Sequence, residues 1–233
     1  MPNTYSKKLV LLDAHAILHR AYHALPGFLS PSGEPTGALY GVTTFLLKIV
    51  KDLKPDYLVA CYDLPGPTFR HESYKEYKAG RAKADDDLIT QMKSSRRIFE
   101  AFDIPIYDHP GFEADDMLGT IVEKVRRDNA KLKDGEKVQV VIASGDMDTL
   151  QLIHGDEVVV YTLKKGLNDT IIYDEDVVKA RFGFGPELLR DYKGLRGDPS
   201  DNIIGISGIG EKTATELIQK FGELEGMYRV LKK

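Results

Sequence analysis

Lys8-Leu9-Val10-Leu11-Leu12-Asp13, Tyr57-Leu58-Val59-Ala60-Cys61-Tyr62-Asp63 and Val138-Gln139-Val140-Val141-Ile142-Ala143-Ser144-Gly145-Asp146 are three apolar runs that each end in an aspartate. Short runs of Val, Leu and Ile without strict alternation read as strands buried on both faces of a parallel sheet. The intervening segments carry helical periodicity, so the expected class is α/β with a mostly parallel central sheet. Ligand crevices in such sheets lie beyond the carboxyl ends of the strands. Three carboxylates therefore converge on one rim, where like charges are costly unless a cation sits among them.

The chain has 233 residues, of which 42% are hydrophobic and 29% charged, enough for a substantial core in a soluble protein. No apolar stretch reaches the roughly 20 residues of a membrane span, and the polar Met1–Lys8 lacks the layout of a secretory signal. Its single cysteine, Cys61, lies inside an apolar run. That excludes a disulfide framework and favours a reducing, cytoplasmic setting. The formal net charge of −4 looks wrong for a nucleic-acid partner. Setting aside nine suspected metal carboxylates (Asp13, Asp63, Glu113, Asp115, Asp116, Asp146, Asp148, Asp198 and Asp201) leaves a mildly basic remainder, compatible with a phosphate backbone.

Helices are predicted over 14–25, 36–53, 86–102 and 113–129, with short ones over 174–182, 186–195 and 211–221. Ile104–Tyr107 and Glu157–Leu163 read as further strands. Residues 64–87 break the rhythm with Phe69, Arg70, His71, Tyr74, Lys75, Tyr77, Lys78, Arg81 and Lys83. So polar an insertion at a strand's carboxyl end belongs over the crevice. From Gly197 the texture turns glycine-rich and helical, which divides the chain into a catalytic unit, 1–185, and a small helical appendage, 186–233.

The acidic clusters Glu113-Ala114-Asp115-Asp116, Asp146-Met147-Asp148 and Asp198-Pro199-Ser200-Asp201 each have a bland explanation, because carboxylates cap helices and form turns. Capping does not explain why all of them gather on one rim. Hard divalent cations prefer such oxygen ligands, and two of them could clamp the attacking and leaving oxygens of a phosphodiester. The six histidines show no ligand spacing. Lys78 and Arg81 could stabilise charge on a phosphate, and nearby tyrosines could stack on bases. The segment Gly208-Ile209-Gly210-Glu211-Lys212-Thr213 reads as a helix-hairpin-helix turn, whose glycines and following N–H groups suit a phosphate.

Leu12-Asp13, His19-Arg20-Ala21-Tyr22-His23-Ala24, Gly33-Glu34-Pro35-Thr36-Gly37, Tyr62-Asp63, Thr68-Phe69-Arg70-His71-Glu72 and Tyr77-Lys78-Ala79-Gly80-Arg81 occur in that order, followed by the three acidic clusters and the glycine turn. Together they resemble the 5′ nuclease domain of the bacterial DNA polymerase I family and its flap-endonuclease relatives. The resemblance implies a PIN-like (Rossmann-like) fold with a C-terminal helix-hairpin-helix subdomain, and a structure-specific 5′-3′ exonuclease or flap endonuclease. Its substrates would be flapped, nicked or RNA-primed 5′ ends of duplex DNA, in replication and repair, and it would act as a monomer or as part of a longer polymerase polypeptide. Two Mg²⁺ or Mn²⁺ ions are implied, one held by Asp13, Asp63, Glu113, Asp115 and Asp116, the other by Asp146, Asp148, Asp198 and Asp201. K⁺ at the glycine turn is a candidate. Lys78, Arg81, Asp115 and Asp116 carry the catalytic assignment, and Arg20, Arg70, Tyr77, Lys78, Arg81, Gly208, Gly210, Lys212 and Thr213 the DNA contacts. Met147 stands where many relatives carry lysine, so a local positive charge is expected to be missing, and ending at Lys233 implies a truncated duplex-binding face.

Three other readings compete. A PIN-type ribonuclease shares the carboxylates but does not need the glycine turn or the aromatic-basic insertion. A phosphatase with an aspartyl nucleophile would want Asp-x-Asp at Asp13, and position 15 is histidine. A DNA-binding module without catalysis would use the carboxylates only as caps.

Overall fold

Strand β1 (Tyr5–Asp13) lies at the centre of a six-stranded sheet in the computed structural model, which describes residues 4–166 and 169–232. The expectations attached to Met1 and Lys233 lie outside the described residues. The strand β2 (Tyr57–Cys61) pairs parallel to β1 on one side and β4 (Lys137–Ala143) on the other. The two-residue β3 (Ile106–Tyr107) and β5 (Val158–Lys165) extend the parallel set outward. An antiparallel edge strand, β6 (Asp169–Tyr173), completes the order β3-β2-β1-β4-β5-β6. The chain reverses its direction of winding at β1 and β4, so the switch point lies between the ends of these two strands.

Successive β1 side chains alternate between two cores. Val10 and Leu12 face the layer of α1 (Ala14–Ala24), α2 (Gly37–Leu53) and α4 (Asp86–Ala101), with Ile17, Leu18, Phe45, Ile49 and Phe99. Leu9 and Leu11 face α5 (Ala114–Asn129) and the C-terminal helices α6 (Glu175–Phe182), α7 (Leu189–Arg196) and α8 (Glu211–Phe221), through Leu118, Val122, Leu189, Tyr192 and Ile218. With both faces covered, the buried stretches Leu9–Leu12 of β1 and Val140–Ala143 of β4 are apolar throughout, which is why the runs lack alternation.

Several features were not predicted, the edge strand β6 among them. The insertion carries a one-turn helix, α3 (Phe69–Ser73), and α9 (Leu224–Leu231) follows α8. A small antiparallel pair, β7 (Gly197–Asp198) and β8 (Ile203–Ile204), closes the Asp198–Asn202 loop. Its glycines are obligatory. A Cβ on Gly205 would lie 2.2 Å from the Gly197 nitrogen, and Gly197 itself has φ +82°. This backbone crossing fixes Asp198 and Asp201 at the top of α7. No helix among the described residues is long and apolar enough to cross a membrane.

A buried polar tie joins the first layer. Thr36 offers α2 no side-chain cap; instead the Gln91 carbonyl oxygen of α4 accepts from the Ala38 N–H at 2.8 Å. Gln91→Leu should leave that donor unpaired and cost about 1–3 kcal/mol, read as a lower urea midpoint at unchanged slope.

Candidate metal and phosphate cleft

The ends of β1, β2 and β4, the first turn of α5 and the β7 loop deliver carboxylates to one cleft of about 1180 Å³, which Asp13, Asp63, Glu113, Asp115, Asp146, Asp148, Asp198 and Asp201 all line. Asp13 caps α1, accepting from the Ala16 N–H at 3.1 Å, and takes a 2.6 Å bond from the Ser144 hydroxyl at the end of β4. The same Ser144 oxygen accepts from the Asp146 N–H, so one small side chain aligns the aspartates of two strands. Asp63 accepts from the Ala114 N–H at the start of α5, 2.6 Å away. Gly145 is small of necessity, because a Cβ there would come within 3.0 Å of the Ala16 carbonyl.

Among the cleft carboxylates described, Asp115 is the one without a hydrogen-bond partner. Burial, then the charges of Asp13 and Asp146, push its pKa up to about 8. Burial raises Asp13 to about 6 despite its two hydrogen bonds. These are the signs of a site with excess negative charge. One oxygen from each of Asp148, Asp198 and Asp201 lies within 4.8 Å of the others, the tightest such group among the described residues. An all-oxygen, carboxylate-only donor set fits Mg²⁺ or Mn²⁺ and not a thiophilic ion.

Some expected residues sit elsewhere. Asp116 does not line this cleft: both its oxygens are taken by the Arg70 guanidinium, at 2.7 and 2.9 Å, and it also caps the Glu113 N–H. Burial raises its pKa, but Arg70 and that N–H outweigh it, so Asp116 stays below its ordinary value. The pair ties the insertion to the start of α5. Tyr77 is 5% exposed and donates between Glu113 and Asp201, so its ring is not free to stack on a base. Burial and those two carboxylates hold its phenol above the usual range.

The insertion does close over the rim. Lys78 reaches Glu113 at 2.9 Å and Arg81 reaches Asp201 at 2.5 Å. Arg20 lines the cleft and donates to the Lys164 carbonyl. Outside the cleft, Gly208 and Gly210 lie on the exposed turn before α8, and Lys212 and Thr213 are exposed in its first turn. A Cβ on either glycine would meet nothing within 4 Å, so this backbone is open to a ligand.

Sequence reading missed the basic face of α7. Arg190, Lys193 and Arg196 line the cleft at i, i+3 and i+6, beside Leu189 and Tyr192, which line it too while Leu195 packs in the core. That spacing was the available signal. Lys193 bridges Asp148 and Asp198, so the positive charge expected to be missing at Met147 is supplied from another helix. Burial lowers the Lys193 pKa, but the two carboxylates more than compensate and hold it above its ordinary value. His15 and His19, also unassigned, line the wall along α1. Burial holds both below the ordinary imidazole value.

Comparison with known proteins accords with this geometry. Residues 8–183 match the model of the 5′-3′ exonuclease N-terminal resolvase-like domain, and residues 184–233 match the 5′-3′ exonuclease C-terminal SAM fold. DNA polymerase I of Bacillus subtilis (strain 168) is 39% identical over 222 residues, covering 95% of this chain and 24% of that protein. DNA polymerase I of Caldicellulosiruptor bescii is 39% identical over 228 residues, covering 97% and 26%. The chain thus spans about a quarter of the length of these relatives. The T5 D15 protein co-crystallised with metal ions superposes with a TM-score of 0.75 at 22% identity, over 96% of this chain and 79% of that one. Human GEN1 in complex with Holliday junction DNA gives 0.58 at 16% identity, over 97% and 52%. The mixed sheet and the helical C-terminal hairpin are the fold of these relatives, and the chain belongs to the 5′-3′ exonuclease family.

Proposed function

We propose that this chain is a divalent-metal-dependent 5′-3′ exonuclease and flap endonuclease that hydrolyses phosphodiesters near the 5′ ends of branched, nicked or RNA-primed duplex DNA in replication and repair. The observation that carries the reading is the gathering of eight carboxylates from separate elements at one sheet rim, beside a row of basic side chains. The nearest alternative, a module whose carboxylates only cap, accounts for Asp116 but not for Asp115, which caps nothing and whose pKa burial and neighbouring carboxylates push up to about 8.

In this reading Asp13, Asp63, Glu113 and Asp115 hold one cation, and Asp146, Asp148, Asp198 and Asp201 the other, some through water. Two Mg²⁺ or Mn²⁺ ions bound there supply positive charge to the attacked phosphate and to the departing 3′ oxygen. Lys78 and Arg81, which pair with Glu113 and Asp201 at the rim, would supply positive charge to a phosphate in the cleft. Arg20 grips the adjacent phosphate. Residues 1–185 form the catalytic unit, and residues 186–233 hold the duplex through the N–H groups at Gly208 and Gly210, with Lys212, Thr213 and a candidate K⁺. The chain works as a monomer within a longer cytoplasmic polypeptide at chromosomal DNA.

A flap substrate tests this. The parent should cleave with Mg²⁺ and stop with chelator, Asp115→Asn should lose about 100-fold or more in turnover, and Asp116→Asn should lose stability first. Cleavage unchanged by chelator, or confined to RNA, would refute it.

Metal also governs stability. Folded Asp115 keeps its proton to about pH 8, whereas the ordinary aspartate value is 3.8, so the metal-free fold binds more protons than the unfolded chain between those limits. Stability without metal should therefore fall as pH rises from about 4 to about 8. Asp13, raised to about 6, contributes to the lower half of this range. Melting in EDTA should show this slope, Asp115→Asn should flatten it, and Mg²⁺ should raise the melting temperature more at pH 8 than at pH 6.

A further inference from the structure

The Lys193 ammonium is bonded to Asp148 and lies 2.7 Å from an Asp198 oxygen. These are two members of the Asp148, Asp198 and Asp201 trio whose oxygens lie within 4.8 Å of one another. Asp148 comes from the 3₁₀ turn after β4 and Asp198 from β7, so the ammonium spans two separate elements and offsets their repulsion. Its helix is fixed by buried Leu189, Tyr192 and Leu195, while the four-carbon stem leaves the charge free to swing. An ammonium and a divalent ion on the same carboxylates repel each other and so compete for them.

We propose that Lys193 is a built-in counter-cation of this trio, which it holds assembled without metal and which it must release before the second divalent ion binds. Lys193 is thus a positioning residue that weakens the second site and keeps it exchangeable. Displaced, its ammonium stays on the basic face of α7 with Arg190 and Arg196, inside the cleft. The inference rests on the reading of the trio as a metal site.

Mn²⁺ alone, titrated into the full chain and followed by calorimetry and by the loss of the free-ion paramagnetic signal, tests it. The parent should bind two ions unequally. Lys193→Met should tighten the weaker site by at least about fivefold, and should lower the melting temperature in EDTA by a few degrees. Lys193→Arg, which keeps the charge, should leave the weaker site within about twofold of the parent. Lys193→Gln serves as a second neutral variant if methionine prevents folding. A neutral variant whose weaker site is unchanged or loosened overturns the role of Lys193 while leaving the metal reading intact. A parent that binds fewer than two ions overturns both.

Discussion

Repulsion among carboxylates crowded into one half-buried cleft is the constraint around which the rest of the molecule is arranged. Eight acidic side chains face a common space, and in a medium less polar than water each would prefer to protonate or to move away. The fold opposes both tendencies. It anchors Asp13 and Asp63 on the N–H groups of α1 and α5, Asp146 on the 3₁₀ turn that follows it, and Glu113 on Lys78 and Tyr77. Only Asp115 is left without such support, and it carries the largest upward shift among the cleft carboxylates.

The supports are of two kinds. Backbone N–H groups are fixed once the sheet and helices form, so they give position without a mobile charge. The cations Lys78, Arg81 and Lys193 are long, flexible and partly exposed, so their ion pairs are modest and can be exchanged for stronger ones. A cleft built this way is ordered before any ligand arrives and remains willing to trade partners. Arg70 and Asp116 show the contrast: a bidentate fork beside the cleft holds the insertion against α5 and does not take part in that trade.

Much of this could be read from the chain before the fold was seen. The three apolar runs ending in Asp13, Asp63 and Asp146 are β1, β2 and β4 with their following turns, because strands covered on both faces leave no room for polar residues. The edge strand β6 escaped notice because its Asp169–Tyr173 run is short and half exposed. Adjacency in sequence says nothing of direction. On a helix Asp115 and Asp116 point about 100° apart, one into the cleft and the other to Arg70. Tyr77 looked like a stacking residue because composition cannot distinguish an aromatic that covers a site from one that serves it. Lys193 is 45 residues from Asp148, and only the tertiary fold brings the two together.

The insertion and the Asp198–Asn202 loop are sewn to each other rather than merely adjacent. Lys78 and Arg81 bind Asp201 and Ser200, Tyr74 donates to the Asn202 carbonyl, and the Asn202 amide returns a bond to Glu76. The loop cannot yield at its base, where the Gly197 and Gly205 backbones are in contact. Any movement of the insertion therefore pulls on Asp201 directly, so the position of that carboxylate and the position of the insertion are mechanically linked, with the insertion as the lever and the glycine crossing as its fulcrum.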